Sequence, residues 1–93
     1  MKAPMRHRHE LTFTLHVGNR QSIGPAELQS MWQEAAQSSD VSVSRRTPVY
    51  EQAKQPYYEL WAWRLHDKDA VERRLRGLLE SKGYLFGLAD MTL

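Results

Sequence analysis

The 93-residue chain contains no cysteine. Disulfides, thiolate nucleophiles and sulfur-ligated zinc are therefore excluded together. No apolar run approaches the roughly 20 residues that a membrane-spanning helix requires, so no membrane partner is expected. The basic N-terminus is not followed by the apolar core of a secretory signal. A small domain without disulfide staples and without such a signal is expected in the cytoplasm. Neither sign of charge dominates: 13 basic residues face 11 acidic ones, a formal net charge of +2. That excess is too weak to imply a nucleic-acid partner on its own. Internal repeats and low-complexity runs are also missing.

The familiar catalytic signatures are missing as well. There is no Gly-rich phosphate loop, no Gly-x-Ser-x-Gly and no His-Glu-x-x-His. His66-Asp67-Lys68-Asp69 and His7-Arg8-His9 lack a zinc-type spacing with further ligands, so neither a metal site nor a cofactor is expected. No complete catalytic set can be assembled, and a non-enzymatic role is favoured.

What is present is an ordinary globular composition, 41% apolar and 26% charged, enough for one modest core. Residues 1–9 have no periodicity and read as a mobile basic leader; residues 10–93 read as a single α+β domain. Glu10 to Val17 alternates strictly, with Leu11, Phe13, Leu15 and Val17 on one side and Thr12, Thr14 and His16 on the other, the pattern of a half-buried strand. Pro25 opens a helix, with Glu27 in its first turn and an apolar stripe of Leu28, Met31, Trp32 and Ala35. Asp40 to Arg46 alternates again through Val41 and Val43 and reads as a short edge strand. Thr47 to Gln55 links it to Pro56–His66, a segment rich in tyrosine and tryptophan that reads as a central strand. A second helix follows, with Asp69 and Glu72 as a capping box and Val71, Leu75, Leu78 and Leu79 as its stripe; Gly83 marks its end. Tyr84 to Leu93 closes the chain as a strand.

The order strand, helix, strand, strand, helix, strand is the ferredoxin-like βαββαβ arrangement. It implies a two-layer sandwich: a four-stranded antiparallel sheet in spatial order 4-1-3-2, with both helices on one face and the other face open. The first strand and the aromatic segment form the central pair, which is expected to run parallel. The aromatic segment has two phases open to it. Turning Tyr57, Glu59, Trp61, Trp63 and Leu65 towards the helices buries two tryptophans and leaves Arg64 and His66 with the polar side of the first strand, so this phase is favoured. The inward Glu59 counts against it.

With the central pair parallel, His16, Arg64 and His66 would meet at one end of the open face beside Arg20 in the adjoining loop, a set suited to a small anion or ligand. A second set is the arm 45–57, where Arg45, Arg46 and Lys54 interleave with Tyr50 and Tyr57 in a way that suits single-stranded RNA. The RNP1 pattern of an RRM is missing. The favoured function is a non-enzymatic binding or assembly module. It would associate with a second copy, or with another protein, through the open sheet face or an exposed strand edge. RNA binding and a small-ligand regulator or enzyme are the alternatives.

Overall fold

A computed structural model describes residues 9–18, 21–47, 56–63 and 65–91. The elements are β1 (Glu10–Val17), α1 (Pro25–Ala36), β2 (Val41–Arg46), β3 (Tyr57–Ala62), α2 (Lys68–Ser81) and β4 (Phe86–Asp90). The strands form one open sheet in the order β2-β3-β1-β4, the expected 4-1-3-2 order read from the other side. The chain is thus an α+β sandwich of βαββαβ order.

Every neighbouring pair is antiparallel, including the central pair β1 and β3. The expectation of a parallel centre is corrected, and topology explains why. The crossover through α1 sets β1 and β2 in the same direction with one place left between them. The turn after β2 then sends β3 back into that place, opposed to both.

The phase of β3 is also the reverse of the favoured one. Tyr58, Leu60 and Ala62 are 6%, 0% and 2% exposed, while Tyr57, Glu59 and Trp61 are half-buried on the other side. Two facts decide it. The core already holds a tryptophan: Trp32 of α1 is fully buried, its ring set edge-on to Phe13 at 5.8 Å. The alternative would also turn the Glu59 carboxylate in among apolar side chains, away from Arg46, at a cost of several kcal/mol.

The helices form where their periodicity places them. In α1 the buried residues are Leu28, Met31, Trp32 and Ala35. In α2 they are Val71, Leu75 and Leu79, with Leu78 partly buried beside them. The cap of α2 is Asp67, whose Oδ1 accepts from the Ala70 N–H at 3.1 Å. Asp69, the cap expected from sequence, sits inside the first turn, because the helix begins two residues earlier. The far end of α2 closes with Gly83 at φ 83°; Gly83 N–H reaches Glu80 C=O and Tyr84 N–H reaches Leu79 C=O at 2.9 and 3.1 Å, a Schellman closure. α1 ends the same way, but with Gln37 in the left-handed position, φ 55°.

Both aromatic polar groups on the helix side are partnered. The Trp32 indole N–H donates to Trp61 C=O at 2.9 Å, and the Tyr58 hydroxyl to Ile23 C=O at 2.8 Å. Tyr84 donates to Glu27 at 3.2 Å; partial burial, and then the Glu27 carboxylate, hold its phenol above the usual tyrosine range. β3 ends at Ala62, not His66, and β4 is shorter than the closing strand expected from sequence. Most of the proposed arm, with Tyr50 and Lys54, lies outside the described residues, as do residues 1–8.

Candidate functional site

The sheet face away from the helices is built by strand alternation and by one bulge in β1. Residues directly opposite in a ladder share a face. Ser42, Ser44 and Arg46 of β2 stand against Trp61, Glu59 and Tyr57 of β3. Glu59 is also opposite Thr14 of β1. Thr14 and His16 in turn stand against Ala89 and Gly87 of β4. Two hydrogen bonds extend this last row, Gly18 N–H to Leu85 C=O and Met91 N–H to Thr12 C=O, each 2.8 Å. A bulge between Leu11 and Phe13 brings Leu11 opposite Trp61.

The face has three parts. At one end the His16 ring stacks on Tyr57, centroids 5.0 Å apart and planes within 15°. At its centre Arg46 donates to Glu59 at 2.8 Å. That bond, with the attraction of the same carboxylate, raises the Arg46 guanidinium above its ordinary value. Towards the other end Trp61 is half-buried, and its indole N–H is buried with no hydrogen-bond partner among the described residues. Such a group costs about 1–3 kcal/mol. Nearby, His9 spans from the start of β1 to the start of β2: Nε2 meets Asp40 Oδ1 at 2.8 Å and Nδ1 meets Ser42 Oγ at 3.1 Å.

The antiparallel centre separates the residues first grouped as an anion site. His16 lies beside Tyr57, whereas His66 follows the opposite end of β3. Arg20 and Arg64 fall outside the described residues. His66 instead lines an open cleft of about 600 Å³ together with Ala36, Asp40, Trp63, Asp67 and Arg74. Most of the polar groups there are engaged: Arg74 Nε donates to Ala35 C=O at 2.8 Å, Asp67 caps α2, and Asp40 holds His9. Of the second sequence set, Arg46 and Tyr57 are neighbours on the open face, while Arg45 pairs with Tyr58 and so belongs to the helix side. Among the described residues, no group of three or more His, Asp or Glu is placed to hold a metal ion.

Sequence reasoning passed over the β4 row. Leu85, Gly87, Ala89 and Met91 share the open face, and Leu85 and Met91 are 73% and 46% exposed. The signal was there in the alternation of residues 85–91, but reading 84–93 only as a closing strand left its two sides unassigned. No protein-family model matches the chain, and comparison with curated proteins and with solved structures gives no match.

Proposed function

We propose that the chain is a non-enzymatic assembly module that forms a homodimer through the open face of its sheet. One observation carries this reading. Among the described residues the face away from the helices presents Tyr57, Trp61, Leu85 and Met91 at least partly to solvent, with Thr12 and Thr14 buried among them, and the charges of Arg46 and Glu59 in its described centre are paired with each other. Aromatic and methionine anchors with few unpaired charges are the composition of an interface centre. Among the described residues no helix is long and apolar enough to cross a membrane, and the cysteine-free composition is in keeping with a reducing cytoplasm. Light scattering behind a sizing column tests the reading. The expected mass at high micromolar concentration is twice the 10.9 kDa of the chain; a strict monomer there contradicts it.

Single-stranded RNA is a second reading, supported by Arg46 lying beside Tyr57 with His16 stacked on the same ring. It predicts affinity for mixed single-stranded RNA that falls with salt and weakens in Arg46→Ala. Absence of binding at low salt rejects it. Glu59 at the centre of the face weighs against a phosphate backbone there. The small-anion reading loses its geometric basis with the separation of His16 from His66.

A further inference from the structure

We infer that the two copies meet face to face about a two-fold axis crossing β4 at the level of Leu88, so that Leu85 faces Met91 of the second copy and Gly87 faces its Ala89. This rests on the homodimer reading above and specifies its geometry.

Three observations converge on it. First, the row Leu85, Gly87, Ala89, Met91 is large, small, small, large, and carries no charge. Read in reverse it has the same profile, which is the self-complementarity a two-fold interface requires. Second, Gly87 has no internal reason to be glycine. Its φ is not positive, and a Cβ built on it would meet nothing within 4 Å. His16, directly opposite, leans away to stack on Tyr57. A glycine inside a strand weakens it, and where neither backbone nor neighbours demand it, close approach from outside explains it. Third, the outer edge of β4 is occupied. Arg76 donates to Leu88 C=O at 3.1 Å, and Lys68 pairs with Asp90 at 2.7 Å. These contacts obstruct the alternative in which two β4 edges zip into one continuous sheet.

Size sets the extent. A stable interface buries about 800 Å² on each partner. The β4 row is too small for that. An axis running across the strands also lays β1 over its counterpart and β3 over its counterpart, so the contact extends from the β4 row across the face.

The experiment is sedimentation of the full chain and of two variants, Ala89→Arg and Gly87→Ala, with circular dichroism to establish folding. The dimer is expected to weaken about tenfold or more in Ala89→Arg. Gly87→Ala, which the isolated subunit accommodates, should weaken association without lowering the thermal midpoint of the monomer. A native dimer whose constant is unchanged in both variants overturns this geometry while leaving the homodimer reading intact; a monomeric native chain overturns the homodimer reading itself. Amide exchange separates face from edge. The ladder bonds of β4 to β1 are made by Leu85 and Met91 and hence by alternate residues, so the Phe86 and Leu88 N–H groups point to the outer edge. Slowing of these two on dimerisation would mean edge pairing and would overturn the proposal; unchanged exchange supports it.

Discussion

The two faces of this sheet are made by the same strands yet solve opposite problems. β3 gives Tyr58, Leu60 and Ala62 to the helix side and Tyr57, Glu59 and Trp61 to the open side. On the helix side each buried aromatic polar group has its partner: the Trp32 N–H meets Trp61 C=O, and the Tyr58 hydroxyl meets Ile23 C=O. On the open side the Trp61 N–H is buried without one among the described residues. The covered face is therefore optimised for the isolated subunit. The open face keeps a deficit and exposed apolar side chains that the fold itself does not need. What the folded subunit leaves incomplete is where a partner has something to gain.

Breaking the covered face should have the largest effect. Trp32→Ala removes a fully buried ring and should cost about 3–5 kcal/mol, measured by urea denaturation. A loss under about 1 kcal/mol would mean that Trp32 is not the centre of the core. Next, one polar atom can be removed from each face. Tyr58→Phe strips the partner from Ile23 C=O and should cost about 1–2 kcal/mol. Trp61→Phe removes the unpartnered N–H together with part of a half-buried ring; the relief and the lost area oppose each other, and stability should change by no more than about 1 kcal/mol in either direction. Equal losses from the two would erase the contrast between the faces.

The helix ends sharpen it further, since the helices serve only one face. Asp67→Ala should cost about 1 kcal/mol, and Asp69→Ala much less. The reverse ranking would restore the capping box expected from sequence. The smallest effect has the opposite sign. Gln37→Gly relieves a left-handed non-glycine residue and should raise stability by about 0.5–1 kcal/mol. The substitutions at Asp67, Asp69 and Gln37 should leave association per folded molecule unchanged.

The elements with a clean period were legible from residue types alone. The stripe Leu28, Met31, Trp32 and Ala35 and the stop at Gly83 follow from local chemistry, and the structure places them there. β1 forms where its period puts it, but Thr12 and Thr14, expected on the wet side, are 4% and 9% exposed, and a bulge turns Leu11 from the apolar side to the open one. Strand order followed too, because right-handed crossovers leave few layouts. What failed was relative: which way β3 runs against β1, and which side of it is inside. Apolar area favoured burying Trp61 and Trp63, but the buried tryptophan is Trp32, with Trp61 half-buried on the other face and Trp63 39% exposed. Once the central pair ran antiparallel, a candidate site resting on shared strand ends could not survive. The Asp67 cap was missed because two aspartates lie within one turn and only the start of the helix distinguishes them. The β4 row had a visible period, yet nothing local marks an exposed apolar side as an error or a function.

The most direct test of the division between the faces is a concentration series of amide NMR spectra on the native chain. Thr14, His16, Gly87, Ala89 and the Trp61 side-chain N–H should shift on dilution, while Ser30, Glu34, Arg73 and Glu80 on the outer helix surfaces should hold still. Shifts confined to the helices, or none at any concentration, would contradict the account.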